Sequence, residues 1–232
     1  MVLEHCVLAT NMSFISTPAG YRYTWYVRLI FWLQRRRYGQ ALEPARLWGQ
    51  LPRSFLALTL LFRSLDREDS PIEPALRSLI FARIAQINWC VFCIDANSAL
   101  ALQRGVSEEK LRALASFQSS ALFAEREKIA LAYAEAVTLS KAEPAGGRPP
   151  GGEALLQRLR AHFRDQEIIE LTALIAYQNM AAKFNSALNV QPQGFCERPQ
   201  NAQSATPLHG SLPLSCERQT TRVPSSISLL GW

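Results

Sequence analysis

Runs of Val, Ile and Thr are scarce in this chain of 232 residues, and Ala, Leu, Arg, Glu and Gln dominate it. That balance argues against a sheet-based core and for an all-α fold. A bilayer span needs ~20 apolar residues; the apolar stretch Trp25 to Leu33 is far shorter and is interrupted by Arg28. Met1 to Ala9 has neither a basic segment nor a clear small-residue cleavage site, so no secretory signal is expected. Histidine is sparse. His5, His162 and His209 are scattered, and no second cysteine pair completes a set of four zinc ligands, so no metal is expected. The five cysteines (Cys6, Cys90, Cys93, Cys196, Cys216) are odd in number and irregularly spaced, which excludes a secreted disulfide framework. One close pair in a cysteine-poor chain instead suggests a reducing, cytoplasmic setting, where a dithiol is catalytic, redox-sensing or metal-binding.

Acid is missing from one region. Between Tyr21 and Arg67 nine arginines face only Glu43 and Asp66, so this stretch carries +7 of a net charge of +6. Such a segment can touch nucleic acid or an acidic membrane surface, but it is more often a solvated helix face or a contact between subunits, so nucleic acid is the minor reading.

What is present is apolar and helical. The 48% apolar content suffices for a sizeable core. Residues 1–20 lack periodicity and end at Pro18-Ala19-Gly20, which predicts a flexible N-terminal arm. Helices are expected at Tyr21–Tyr38, stopped by Gly39, at Glu43–Trp48 with an early Pro44, and at Arg53–Leu65 after Pro52. Ser70-Pro71 reads as the N-cap and first position of the next helix, whose Leu79, Ile80, Ile84 and Ile87 mark a buried face. The Cys90-Val-Phe-Cys93 pair follows directly, on a helix running to Gln103 and capped by Gly105. Ser107 caps a short helix with Glu108 and Glu109 in its first turn. Glu125–Leu139 is strongly helical. Four Gly and three Pro in residues 142–152 form a loop. Glu153–Phe163 and Gln166 to about Leu188 complete the set, the latter capped by Asp165. Residues 191–232, rich in Pro, Ser, Gln and Thr, are expected to be a disordered tail, leaving 21–190 as the helical domain.

The paired cysteines carry the chemistry. Three residues apart on helical backbone, they share one side of the helix. At a helix N-terminus, unpaired N–H groups favour a thiolate, and the second sulfur can then close a disulfide on the oxidised first. The bland alternative is two small buried thiols in a core.

The flanking residues narrow the choice. Arg83-Ile-Ala-Gln-Ile-Asn-Trp-Cys-Val-Phe-Cys-Ile-Asp-Ala-Asn97 closely resembles the signature of the carboxymuconolactone decarboxylase/alkylhydroperoxidase D family: a helix ending in Gln-Ile-Asn-Gly, then Cys-x-x-Cys, with Asp two residues on. Gly105 to Leu111, Phe123 to Thr138 and Glu167 to Tyr177 are similar to the same family, so the resemblance spans about residues 50–190. It implies an alkylhydroperoxidase D-like helical bundle assembled as a homo-oligomer, a trimer or hexamer. It implies further that Cys93 attacks a hydroperoxide, that Cys90 resolves the oxidised product, and that an external dithiol is the reductant, with no cofactor.

The family's relay of a Glu twelve residues before the first Cys and a His four after the second is replaced here by Ser78 and Asn97. A thiol with a pKa near about 8.5 is only a few per cent ionised at neutral pH, so a relay that moves its proton matters. Ser and Asn hydrogen-bond without titrating near neutrality. Asp95 is a further auxiliary candidate, although a carboxylate near a helix start is more often structural; Glu73 lies close in sequence but off the Ser78 face. The lead expectation is therefore a thiol-dependent peroxidase-like enzyme. The alternatives are a catalytically weakened member that senses redox state or binds partners, and a decarboxylase-type lyase whose arginines bind a carboxylated lactone.

Overall fold

The computed structural model describes residues 13–139 and 152–196, and every regular element among them is helical. In chain order these are α1 (Trp25–Tyr38), α2 (Glu43–Trp48), α3 (Pro52–Leu65), α4 (Pro74–Ile87), α5 (Val91–Gln103), α6 (Glu108–Arg112), a 3₁₀ turn (Ala113–Ser116), α7 (Glu125–Leu139), α8 (Gly152–Arg160) and α9 (Asp165–Ala187). The expected N-terminal arm is described from residue 13 and the expected tail to residue 196. The rest of both, and residues 142–151 of the expected loop, lie outside the described residues.

Helix α4 is the axis of the molecule. It packs on α5, α7 and α9, and is buried nearly all round from Leu76 to Ala85. A helix apolar on every face belongs in the interior. Of its two arginines there, Arg77 is the fully buried one, 2% exposed and paired with Asp66 at 2.7 Å. Burial pushes the Arg77 guanidinium below its ordinary value, and the neighbouring Asp66 charge opposes that shift. Asp66 also binds Arg104, so the acid that balances little of the basic 21–67 stretch is spent inside the fold. The arginines at 22, 28, 35, 36, 53 and 63 lie exposed along α1, α3 and the approach to α1.

Three expected helix starts are corrected. The first helix begins at Trp25, after Thr24 as its N-cap, and not at Tyr21. Ser70 does not cap α4. Its hydroxyl accepts from the Ile72 N–H and donates to Glu170, and the helix begins at Pro74. A proline inside the first turns of a helix begun at residue 71 would have broken it, whereas at N1 its missing N–H costs nothing. Asp165 is the first residue of α9, not its cap. Arg164 holds that place, its N–H donating to the Glu167 carboxylate at 2.7 Å. Ser107, in contrast, caps α6 as expected, accepting from Lys110 N–H.

Apolar side chains gather in two clusters. The larger joins α3, α4 and α6 to α9. The smaller is built by α1, α2 and the start of α3 against the first turn of α5, the end of α9 and Val190, and it contains Cys90 and Cys93. The N-terminal helices thus wall the cysteine pair.

Candidate functional site

The sharp bend between α4 and α5 sets the pair in place. Asn88 ends α4, donating from its N–H to the Ile84 carbonyl, and Trp89 turns the chain with φ +53°. Trp89 thus adopts a left-handed conformation that favours glycine, at the position where the family's usual form carries Gly. Cys90 follows as the N-cap of α5: its backbone N–H donates to the Ala85 carbonyl at 3.0 Å and its sulfur accepts from the Cys93 N–H at 3.2 Å. Cys93 sits in the first turn. The two are joined as a disulfide, with Cα atoms 5.1 Å apart. Both are buried, Cys90 at 1% and Cys93 at 4% exposure.

Helix α9 fastens this bend from the far end of the chain. Ser186 Oγ donates to the Asn88 carbonyl at 2.8 Å, and the Asn88 amide donates to Asn179. One residue before Ser186, Asn185 Nδ2 donates to Cys93 Sγ at 3.3 Å. Among the described residues, no lysine, arginine or histidine hydrogen-bonds either sulfur.

The auxiliary candidates fall in different places. Asn97 lies one turn beyond Cys93 on α5. It is 2% exposed and donates to the Phe81 carbonyl at 3.4 Å, and its Oδ1 has no hydrogen bond among the described residues. Ser78 is fully buried on α4, where its hydroxyl accepts from Arg104 Nη1 at 3.0 Å. Arg104 closes α5 as its C-cap and ties Ser78 to Asp66. Asp95 is turned to another task. Its carboxylate accepts the backbone N–H groups of Gln193, Phe195 and Cys196 at 2.9, 3.1 and 2.6 Å. It thereby clamps residues 191–196 across α5, and Phe195 packs edge-on against Phe92 and Tyr38. Glu73 faces Arg126, 3.4 Å away.

Three features escaped the sequence reading: the Asn185 contact, the clamped segment after Val190, and the Arg104–Asp66 pair behind Ser78. The first had a faint signal. Asn185 follows the buried Gln178 by two turns on a face otherwise made of Leu174, Ala181 and Ala182. A polar side chain on such a face calls for a buried partner. No grouping of His, Cys, Asp and Glu among the described residues could hold a metal ion, and no helix there is long and apolar enough to cross a membrane.

Residues 53–136, from α3 to α7, match the carboxymuconolactone decarboxylase family. An uncharacterized protein of Escherichia coli strain K12, YnjA, is 43% identical over 169 residues, covering 73% of this chain and 89% of that protein. The chain belongs to the carboxymuconolactone decarboxylase family. Two solved structures share its fold. One is an alkylhydroperoxidase AhpD core from Ralstonia eutropha JMP134, an uncharacterized peroxidase-related protein, with a TM-score of 0.68 at 18% identity over 78% of this chain and 93% of that one. The other is an uncharacterized peroxidase-related protein from Silicibacter sp. TM1040, with a TM-score of 0.67 at 20% identity over 78% of this chain and 92% of that one. The all-helical fold is thus AhpD-like, and the family match ends short of α1, α2 and α9, the elements that wall and fasten the cysteine pair.

Proposed function

We propose that this family member is a thiol-dependent, peroxidase-like oxidoreductase that reduces hydroperoxides through Cys93 and Cys90. The observation that carries the reading is the pair itself: two sulfurs within bonding distance at the start of a buried helix, each receiving one N–H donor. The Cys93 thiolate attacks the distal oxygen of ROOH. The O–O bond breaks, Cys93 becomes a sulfenic acid, and the alkoxide takes a proton and leaves as ROH. The Cys90 thiol then displaces water from the sulfenic acid and the disulfide forms. A dithiol reductant returns both sulfurs to thiols by exchange. No metal or organic cofactor takes part, and a reducing cytoplasm would supply the dithiol. A trimer or hexamer belongs to the same reading by family resemblance.

The test is hydroperoxide consumption by the purified protein with a dithiol reductant. Turnover should vanish in Cys93→Ser, and Cys90→Ser should be slowed, because its sulfenic acid then waits on the external dithiol. Equal turnover by wild type and Cys93→Ser would overturn the mechanism. A second reading, a weakened member serving as a redox sensor, is favoured by one observation: Ser78 and Asn97 are held by Arg104 and by the Phe81 carbonyl, and neither shuttles protons near neutral pH. A fast wild-type rate excludes it. The decarboxylase-type lyase has less support, because it gives the paired sulfurs no task.

A further inference from the structure

The two sulfurs do not stand in equivalent surroundings. Cys90, at the N-cap, receives the backbone N–H of Cys93 and faces the positive end of α5. On backbone grounds alone a thiolate would settle on Cys90. Among the described residues Cys93 receives no backbone N–H at its sulfur. Its sulfur instead receives the Asn185 side-chain amide at 3.3 Å, from a helix that reaches the site 92 residues later in the chain. Asn185 is 2% exposed beside the apolar cluster that holds Cys93 and Ala182, and among the described residues its Oδ1 has no hydrogen-bond partner. A buried amide left half satisfied is costly to a fold, and packing alone would be better served by Leu. The charged group nearest in sequence, Asp95, is occupied by three backbone N–H groups.

We infer that Asn185 is a catalytic residue that makes Cys93, rather than Cys90, the nucleophilic sulfur, by donating its amide N–H to the Cys93 thiolate. A hydrogen bond to an ionised acceptor is stronger than one to a neutral thiol. The amide therefore stabilises the charged form of Cys93 selectively and offsets the advantage the helix end gives Cys90. Cys90 stays protonated and is left as the resolving thiol. This inference rests on the dithiol reading, but it concerns thiolate formation and not peroxide.

The experiment uses full-length single-thiol proteins: Cys90→Ser, which keeps Cys93, and Cys93→Ser, which keeps Cys90. Each is made with Asn185, with Asn185→Leu and with Asn185→Asp, and alkylation by iodoacetamide is followed across pH by mass spectrometry of the site peptides. Rates are normalised to the high-pH plateau, which removes differences in access. The expected result is that both substitutions slow Cys93 at pH 7 by at least about tenfold and move its profile to higher pH, while Cys90 changes less than twofold. Asn185→Leu removes the donor without adding charge, and Asn185→Asp, of the same shape, opposes the thiolate in the same direction through its carboxylate and serves if the Leu variant fails to fold. An unchanged Cys93 profile in the Asp variant, or equal slowing of both thiols, overturns the inference. If Cys93 responds as expected in a protein that consumes no hydroperoxide, the peroxidase reading fails and the role of Asn185 in forming the thiolate stands.

Discussion

The Asp95 carboxylate accepts the backbone N–H of Cys196 at 2.6 Å, across 101 residues of chain. With the Gln193 and Phe195 N–H groups it makes a three-pronged clamp two residues past Cys93. The segment so held packs Phe195 on Phe92, whose neighbours in sequence lead to both cysteines. A carboxylate is acceptor-only, which suits three converging donors, whereas an amide would turn an NH₂ towards at least one of them. Asp95→Asn is therefore expected to cost about 2–3 kcal/mol, the scale of lost hydrogen bonds to a charged group. Denaturant unfolding measures that loss, and limited proteolysis should cut after Val190 sooner than in wild type. Unchanged stability would show that the clamp contributes little.

Asn97→His tests whether a titrating group one turn from Cys93 speeds the reaction. Asn97 stands one helical turn from Cys93, and its Oδ1 has no partner among the described residues, so an imidazole replaces a poorly satisfied group. His titrates near neutrality and Asn does not. The hydroperoxide rate is expected to rise at least about tenfold, a conservative fraction of the roughly 10²–10⁴-fold that general acid–base catalysis supplies. Its pH profile should gain an inflection between about pH 6 and 7 that wild type lacks. Ser78→Glu alone should do less, since Arg104, which donates to Ser78, would pair with the new carboxylate and hold it ionised.

Most of the helical frame was legible because it is local. Glu43–Trp48 and Glu125–Leu139 follow from periodicity, and Ser107 caps α6 through an N–H three residues away, a distance the chain itself sets. The start of α4 misled because Ser70-Pro71 and Glu73-Pro74 are both good openings. Only the tertiary pull of Glu170 on Ser70 and of Ile72 into the core separates them. The cysteine pair was visible from its spacing and flanks. What surrounds it was not: Asn185, Arg104 and residues 193–196 reach the pair or its flanking residues from distant parts of the chain, and no local pattern marks such contacts.

Trp89 is held at φ +53° one residue before Cys90, with 53% of its surface exposed. A left-handed conformation costs an L-residue about 1–2 kcal/mol, while glycine loses about 0.5–1 kcal/mol in backbone entropy on folding. The exposed ring contributes little burial in return. Trp89→Gly is thus expected to stabilise the protein by about 0.5–1 kcal/mol, seen as a higher unfolding midpoint at unchanged denaturant slope. A clear destabilisation would mean that the indole packs on something that the exposure of this chain alone does not reveal.

Tyr177 on α9 lies 3% exposed against Phe62, with ring centroids 5.3 Å apart, and among the described residues its hydroxyl has no hydrogen-bond partner. Burial pushes the Tyr177 phenol well above its ordinary value. In the unfolded chain it ionises near about pH 10. Above that pH the unfolded state has lost the proton that the folded state still holds. The stability tied to this group is therefore fully present below about pH 10 and is lost as pH rises towards the folded value. Tyr177→Phe removes both effects. At neutral pH it is expected to stabilise the fold by about 1 kcal/mol, because an unsatisfied buried hydroxyl is replaced by hydrogen. Above pH 10 the advantage over wild type should widen with each step in pH. Denaturant midpoints of the two proteins measured at pH 7, 10 and 11 decide it: a constant offset across the three would mean that Tyr177 ionises as readily in the folded chain as in the unfolded one.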